Sequence, residues 1–311
     1  MRRASPLVTV LMTVRNGEPY VRQAAKSALE QTMGDLELLV VDDASTDSSL
    51  DSIRALGDDR VRIILNGRPG RTSALNEGLR HARGEFVAIL DADDIATPNR
   101  LQLQLDSLEH HPDVVMIGGG YRAIDPQGEV LAEHLMPAGH QDILNCLPVW
   151  NPIPHSTMTY RRRQIMALGG YPARYFWAQD FALILKAASR HTLANIPEVL
   201  SSIRQHPRQM TARPENTSHR LLDSYQLLRK ARFIPGVAEA SQAEGRRVCA
   251  GLAREYLTHL ASMGKGGRAL AFRLTCVLED PWDRELRKAL GPIPRCIVSQ
   301  QPGQPQRGVD G

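Results

Sequence analysis

The sequence predicts an α/β fold, in which a mostly parallel central sheet is flanked by helices and is followed by a C-terminal helical region. Apolar runs alternate with helix-periodic segments over the first 110 residues, and the run at residues 86–90 is continuously apolar rather than alternating. Continuous apolarity is typical of a parallel strand covered on both faces, and strand–helix alternation is typical of right-handed crossovers. Beyond residue 215, helical periodicity replaces the alternation.

The first half of the chain supplies the elements of this sheet in a regular order. Strands are predicted at residues 7–14, 36–41, 61–65 and 86–90, and helices at residues 19–31, 45–53, 72–83 and 101–110. Pro19 suits an early helical position, and Ser45 and Asp47 are typical helix caps. These segments build a strand, turn and helix unit that repeats along the chain.

The second half is less regular. A strand is predicted at residues 114–118, and the turn at residues 125–128 predicts an antiparallel edge to the sheet. Residues 140–175 are rich in Pro, Gly and aromatics, which is typical of segments that shape a binding site. The remaining predictions are a helix at residues 181–188, an extended segment at 199–204, helices at 221–231, 242–263, 268–278 and 282–290, and a disordered tail at 299–311.

Composition excludes several classes of protein. The net charge of +4 arises from basic residues interspersed with acidic ones, so it predicts no nucleic-acid-binding stripe, although it suits a phosphate-bearing ligand or an anionic membrane surface. The four cysteines have no Cys-x-x-Cys spacing, which argues against zinc and favours a reducing compartment. The sequence contains no run of about 18 apolar residues, which is the length needed to span a bilayer. We therefore expect a cytoplasmic protein.

Three carboxylates within four positions, Asp91, Asp93 and Asp94, follow the run at residues 86–90. If the backbone stays extended, Asp91 and Asp93 point to the same side, because strand periodicity is two. Clustered carboxylates repel each other unless a cation lies between them, which indicates a metal site at a strand end. The alternative is an acidic turn that caps the following helix.

Four further segments fall at predicted strand ends or in the loops above them. They are residues 10–17 (VLMTVRNG), 40–47 (VVDDASTD), 66–76 (NGRPGRTSALN) and, in the later half, 177–180 (WAQD) with 202–206 (SIRQH). Taken in order with the Asp-Ala-Asp motif, they resemble the family 2 glycosyltransferases of the GT-A fold over about residues 6–211. The resemblance implies a GT-A-like sheet and transfer of a sugar from a nucleoside-diphosphate sugar.

The resemblance assigns the nucleotide contacts to Thr13, Arg15, Asp43 and Arg71. Arg15 stands where many relatives have an aromatic residue. Asp43 matches the aspartate that accepts a hydrogen bond from the base, which suits the N3–H of uracil or thymine, although guanine also offers donors. Arg71 matches a base or diphosphate contact, with an exposed arginine at a helix start as the alternative.

The resemblance also assigns the metal and catalytic residues. Asp93 matches the direct ligand of Mn2+ or Mg2+, and Asp91 matches a position near the ribose or the metal. His206 matches the residue that completes the metal shell, and its imidazole favours Mn2+ over Mg2+. Asp180 matches the catalytic base, with the N-cap of the helix at residues 181–188 as the alternative. His155 matches a phosphate or acceptor contact.

The sequence therefore predicts a metal-dependent, inverting glycosyltransferase that uses a nucleoside-diphosphate sugar, with UDP-sugars favoured, and a glycan or lipid-linked acceptor in polysaccharide biosynthesis. Residues 1–211 form the predicted catalytic domain, with a nucleotide half at about 1–97 and an acceptor half at 98–211. Residues 212–298 form the helical region, whose peripheral contact with the inner face of the membrane stays open. The sugar, the linkage and the oligomeric state also stay open.

Two alternatives remain. A nucleotidyltransferase needs a glycine-rich, basic loop after the first strand, and residues 15–17 (RNG) are too sparse for one. A non-catalytic protein that binds sugar nucleotides does not need Asp180, so the presence of this residue argues against it.

Overall fold

The computed structural model describes residues 5–279 and 283–291. Two compact units divide the chain, Met1–Gly245 and Arg246–Gly311. The predicted tail at residues 299–311 and the start of the helix predicted at 282–290 lie outside the described residues.

The first part of the larger unit is a parallel sheet with helical crossovers. Its strands are β1 (Val8–Val14), β2 (Leu36–Asp42), β3 (Val61–Leu65) and β4 (Phe86–Ile89), and its helices are α1 (Val21–Leu29), α2 (Ser49–Arg54) and α3 (Arg71–His81). The strand order is β3-β2-β1-β4, and every neighbouring pair is parallel. The predicted α/β architecture is therefore confirmed.

β1, β2 and β4 are buried on both faces, which explains their continuous apolar runs, whereas β3 is half-buried at the edge of the sheet. Val10 and Met12 on β1 pack with the alanines of α1 on one face. On the other face, a Cβ at Gly78 of α3 would lie 2.2 Å from Leu11 Cδ1, so the glycine allows the helix to approach β1 closely. Because Leu11 is fully buried there, removing its side chain would cost about 2–5 kcal/mol.

The second part of the same sheet is mixed. It contains β5 (Ile95–Ala96), β6 (Val114–Ile124), β7 (Val130–His134), β8 (Thr159–Arg161) and β9 (Thr192–Arg204), with α4 (Arg100–His110), α5 (His140–Cys146), α6 (Arg162–Ala167) and α7 (Gln179–Ala188). The full order is β3-β2-β1-β4-β8-β6-β9-β5, with β7 beside β6. β8 runs antiparallel to both β4 and β6.

The predicted antiparallel hairpin is present between β6 and β7. Asp125 Oδ1 accepts hydrogen bonds from the amides of Gln127 and Glu129 at 2.9 Å, and Gly128 has a φ of +98°, so the turn has the expected chemistry. The sequence did not predict that an antiparallel strand, β8, would also lie inside the sheet. There it joins the parallel half to the second half.

Beyond β9 the described chain is helical, as predicted. The helices are α8 (Thr217–Ala231), α9 (Glu239–Ser262), α10 (Gly266–Glu279) and α11 (Arg284–Leu290). The boundary between the two compact units falls within α9. In residues 5–279 and 283–291, no helix has both the length and the apolar character that a bilayer span requires.

Candidate active site

The loops that follow β1 and β2 are fastened to each other. Asn16, which has a φ of +56°, accepts a hydrogen bond from the Thr46 amide at 2.7 Å through its Oδ1, and its own amide donates to Ser45 Oγ at 3.0 Å. Thr13 is half-buried on β1, and Arg15 is exposed in the turn. Within the described part of the chain, neither Thr13 nor Arg15 makes a side-chain hydrogen bond to the acidic groups described below.

The interpretation of Ser45 and Asp47 as helix caps needs correction. The N-cap of α2 is Ser48, which makes no side-chain cap bond. Asp47 instead accepts from the Ser49 amide at 3.0 Å and from the Glu18 amide at 3.1 Å, so it links the two loops and supports the helix start. Ser45 does not cap the helix, and its Oγ accepts the hydrogen bond from the Asn16 amide instead.

Asp43 is buried and anchors the loop before α3. Its carboxylate accepts from Asn66 Nδ2 at 2.7 Å and from the Gly70 amide at 2.9 Å. Gly70 has a φ of +124°, which only glycine adopts readily. Asp43 therefore fixes the backbone immediately before Arg71.

Arg71 at the start of α3 is the centre of a charged cluster. Its Nη2 donates to both oxygens of Asp91 at 2.7 Å, and its Nε donates at 3.0 Å to the Gln179 amide oxygen when that amide is oriented to satisfy both partners. His155 Nδ1 lies 3.2 Å from Arg71 Nη2 and from Asp91 Oδ1. The exposed-arginine alternative for Arg71 is therefore wrong, because the side chain is partly buried and paired.

The pKa values in this cluster follow from its charges. Burial raises the pKa of the Asp91 carboxyl, but the charges and hydrogen bonds of Arg71 and His155 hold it well below its ordinary value. Burial lowers the pKa of the Arg71 guanidinium, yet Asp91, Asp180 and Asp93 together raise it above its ordinary value. Three carboxylates from two distant stretches of sequence therefore act on one cation.

Tyr171, at the end of the 169–171 turn, contacts the His155 side of this cluster. Its hydroxyl lies 3.3 Å from His155 Nε2. The Asn76 side chain of α3 makes two hydrogen bonds to the backbone of Tyr171: Nδ2 donates to the Tyr171 carbonyl and Oδ1 accepts from the Tyr171 amide, each at 2.9 Å. Gly170 precedes it with a φ of +65°.

Asp93 and His206, two of the predicted metal ligands, lie together although 113 residues separate them in the sequence. Asp93 Oδ2 is 3.0 Å from His206 Nε2. His206 Nδ1 is buried without a hydrogen-bond partner. A carboxylate oxygen and an imidazole nitrogen at this separation fit a divalent cation such as Mn2+. Across the described residues, however, no cluster of three His, Cys, Asp or Glu side chains forms a complete protein cage for a metal.

The two carboxylates of the Asp-X-Asp motif differ in their surroundings. Both oxygens of Asp91 contact Arg71, whereas His206 is the side-chain partner of Asp93. The Asp93 side chain is 31% exposed, so solvent and ligands can reach it. Asp93 is therefore the more available oxygen ligand.

Asp94, the third carboxylate, is a buried support that the sequence analysis did not assign. It accepts from the Arg204 amide at 2.9 Å and from Ser156 Oγ, which in turn accepts from the Asp91 amide at 3.1 Å. Arg204 Nε also donates to the Asp93 carbonyl at 3.1 Å. Burial, followed by the charges of Asp93 and Asp91, raises the pKa of Asp94 well above its ordinary value.

Asp180 lies in the first turn of α7, which begins at Gln179 with Ala178 as its N-cap. The alternative that Asp180 is the N-cap of this helix is therefore wrong. Asn151 Nδ2 donates to Asp180 Oδ2 at 3.1 Å, and Asn151 Oδ1 accepts from the Ile153 amide at 3.1 Å. This neutral contact orients a carboxylate that is only partly buried.

Comparison with known proteins shows that the chain is similar to a sequence family and to several solved structures. The sequence model of glycosyl transferase family 2 matches residues 9–169. The amylovoran biosynthesis glycosyltransferase AmsE of Erwinia amylovora is 28% identical over 204 residues, which cover 64% of this chain and 76% of AmsE.

Solved structures share the fold at lower identity. TarS 1-349 from S. aureus, in complex with UDP-GlcNAc, has a TM-score of 0.62 and 16% identity, and the match covers 91% of this chain and 90% of that one. The mannosyltransferase PcManGT from Pyrobaculum calidifontis, in complex with GDP-Man and Mn2+, has a TM-score of 0.59 and 23% identity, over 92% and 85% of the two chains.

Proposed function

The chain belongs to glycosyl transferase family 2, and from that premise we propose that it transfers one sugar from a nucleoside-diphosphate sugar to an acceptor hydroxyl with inversion at the anomeric carbon. The observation that carries the proposal is the pairing of Arg71 with Asp91 beside His155, at a guanidinium whose pKa the charges of Asp180 and Asp93 also raise. A cation surrounded by carboxylates of different availability suits a site where a diphosphate leaves and a proton is accepted.

Asp180 is the proposed base. Its contact with the Asn151 amide orients the carboxylate through Oδ2, which leaves Oδ1 for the acceptor hydroxyl. That oxygen takes the proton of the acceptor hydroxyl as the hydroxyl oxygen attacks the anomeric carbon. The bond from the anomeric carbon to the diphosphate breaks, and a single displacement inverts the configuration.

Arg71 and His155 are the proposed diphosphate contacts, oriented by Asp91. Asp93 and His206 are the proposed protein ligands of a divalent cation, with Asp91 toward the ribose. When bound, such a cation neutralises charge on the departing nucleoside diphosphate as a Lewis acid. The Mn2+ in the PcManGT complex supports this choice.

UDP is the proposed nucleotide, with Thr13, Arg15 and Asp43 on the side of the base. Asp43 already accepts hydrogen bonds from Asn66 and Gly70, and a carboxylate has further lone pairs for the N3–H of uracil. The UDP-GlcNAc complex of TarS supports UDP, whereas the GDP-Man complex of PcManGT makes GDP the competing choice. UDP should therefore bind more tightly than ADP or CDP, and equal affinities would remove Asp43 from this role.

The acceptor is proposed to be a glycan or a lipid-linked glycan in polysaccharide assembly, which the name of AmsE supports. We assign the acceptor side to residues 98–211 and the donor side to residues 1–97. The nucleotidyltransferase alternative is set aside by family membership. The non-catalytic alternative is tested by the Asp180 variant below.

The test begins with a panel of nucleotide sugars, in which the true donor should raise the melting temperature in the presence of Mn2+. Asp180→Asn should then bind UDP as the wild type does but release nucleotide from that donor on the order of 10²- to 10⁴-fold more slowly. Asp93→Ala should abolish the tightening of UDP binding by Mn2+ in calorimetry. Substantial turnover by Asp180→Asn, or an unchanged Mn2+ effect in Asp93→Ala, would refute the corresponding role.

A further inference from the structure

A cavity of about 360 Å³ lies among α7, α8 and the segment that follows Tyr171, all within the larger unit. Its lining residues are Pro172, Arg174, Tyr175, Ala182, Leu185, Lys186, Leu227, Lys230 and Ile234. This volume is within the usual range for small-molecule sites. None of these residues has a role in the donor site described above.

The wall of the cavity combines an apolar surface with three cations. Ala182, Leu185 and Leu227 are buried apolar residues. Lys186 is half-buried, and Lys230 and Arg174 are exposed. Across the described residues, none of the three cations pairs with a carboxylate. Three unneutralised cations beside an apolar surface repel each other, and an anion that binds between them would relieve that repulsion.

Tyr175 holds two of these cations in place. Its hydroxyl accepts from Lys230 Nζ at 3.1 Å and from Arg174 Nη2, and the Arg174 guanidinium lies 4.6 Å from the centre of its ring. Tyr175 is 2% exposed, so its hydroxyl is held in a fixed position between two positive charges. The cations are therefore gathered by a buried group rather than scattered over the surface.

The cavity shares two segments of chain with the neighbourhood of the proposed catalytic residues, namely α7 and the segment around Tyr175. Asp180 and Lys186 share α7, and six residues of helix separate them by ~9 Å along the axis. The Tyr175 carbonyl accepts from Thr72 Oγ1 at 3.3 Å, next in the sequence to Arg71. The lining residues Ala182, Leu185 and Lys186 lie on the face of α7 away from Asp180, so a ligand with its anionic group near Lys186 must pass around the first turn of the helix to bring a hydroxyl to Asp180.

We propose that this cavity binds the phosphate of a lipid-linked acceptor, with the phosphate at Lys186, Lys230 and Arg174 and the first carbons of the lipid against the apolar wall. The inference rests on the proposed function, because it assumes an acceptor bound beside Asp180. Two large exposed side chains adjoin lining residues in the sequence, Phe176 at 50% and Phe233 at 73% exposure, and they offer apolar contact to the rest of the lipid. A neutral glycan would use neither the charges nor the apolar surface.

The test measures binding without donor or metal, so that its failure is separate from failure of the transfer reaction. Calorimetry compares geranyl phosphate, geraniol and inorganic phosphate. Geranyl phosphate should bind, and Lys186→Gln with Lys230→Gln should weaken it by about 10- to 100-fold, because each lysine supplies a charge-assisted bond. UDP affinity should be unchanged in this double variant, which shows that the fold is intact.

A matched control removes the same charge elsewhere. Lys26→Gln with Arg163→Gln changes two exposed helical cations, of which Lys26 makes only an exposed pair with Glu30. This control should bind geranyl phosphate as the wild type does. Equal weakening in both double variants, or equal binding by geraniol, would overturn the proposal. Inorganic phosphate that binds as tightly as geranyl phosphate would overturn the lipid part, since it would identify a site for free phosphate.

Discussion

Gly170 offers a sharp test of how the 169–171 turn supports the active site. It has a φ of +65°, and a Cβ placed there would lie 2.5 Å from Asn76 Oδ1 and 3.3 Å from Leu79 Cδ2. Gly57 has almost the same φ, +64°, but a Cβ there meets nothing within 4 Å. Alanine at either position meets the same backbone strain, and only alanine at Gly170 displaces a neighbour.

The magnitude follows from the contacts. The left-handed conformation costs a non-glycine residue about 1–2 kcal/mol, and the entropy that alanine removes from the unfolded chain is the same at both sites. In Gly170→Ala the Asn76 side chain must move, which breaks its two hydrogen bonds to Tyr171 at about 0.5–1.5 kcal/mol each. Gly170→Ala should therefore lose about 1–3 kcal/mol more than Gly57→Ala.

Thermal unfolding followed by tryptophan fluorescence measures the difference. For a unit of this size, an extra loss of about 2 kcal/mol lowers the melting temperature by a further 4–8 °C, roughly. Equal shifts in the two variants would refute the claim that Asn76 is held rigidly against the turn. A crystal structure of Gly170→Ala with both Asn76 bonds intact would refute it as well.

Two further predictions concern buried charge. Glu37 is buried and accepts hydrogen bonds from Thr9 Oγ1, Arg62 Nη1 and the Arg83 amide. Burial raises its pKa, but these hydrogen bonds outweigh burial and bring the pKa below its ordinary value of 4.5. Its stabilisation is present above pH 4.5 and is lost as pH falls through the depressed pKa. Glu37→Gln should therefore lower the free energy of unfolding by about 2 kcal/mol at pH 7 and by progressively less in acid. The exposed control Glu30→Gln should change it little at either pH. Urea titrations measure both variants, and a loss in Glu37→Gln that does not depend on pH would contradict this account. Arg71→Lys keeps the charge but cannot contact Asp91 and Gln179 together, so calorimetry should find UDP binding weakened by about tenfold. The control Arg68→Lys, in the exposed loop, should bind UDP normally, and wild-type affinity in Arg71→Lys would remove Arg71 from the donor site.

The parallel half of the sheet was predictable because burial on both faces produces long apolar runs that no other local structure explains. β3 occupies residues 61–65 as predicted, and β1, β2 and β4 differ from prediction by one residue at an end. β8 was not predictable in this way. It has three residues, and its position between β4 and β6 depends on pairing with segments about 40 to 75 residues away rather than on its own pattern.

The candidate site likewise contains residues that a local pattern predicted and residues whose roles depend on distant partners. Asp91, Asp93, Asp180 and His206 were predicted as site residues because their short motifs resemble those of a known family. Asp94 was visible as a third carboxylate, but its partners Ser156 and Arg204 lie 62 and 110 positions away and carry no local signal. The pairing of Asp91 with Arg71 likewise depends on the end of β4 and the start of α3, which meet only in the folded structure.

The contact between Asp93 and His206 has a consequence for the order of events during synthesis. β1 to β4 and their helices need only the first 90 residues, so this layer can form while the rest of the chain is still on the ribosome. The carboxylate and the imidazole cannot meet until residue 206 has emerged and β9 has paired with β6, because the loop between them must close first. We expect a nascent chain to form the layer that carries the proposed nucleotide contacts early, and to bring the proposed cation ligands together late.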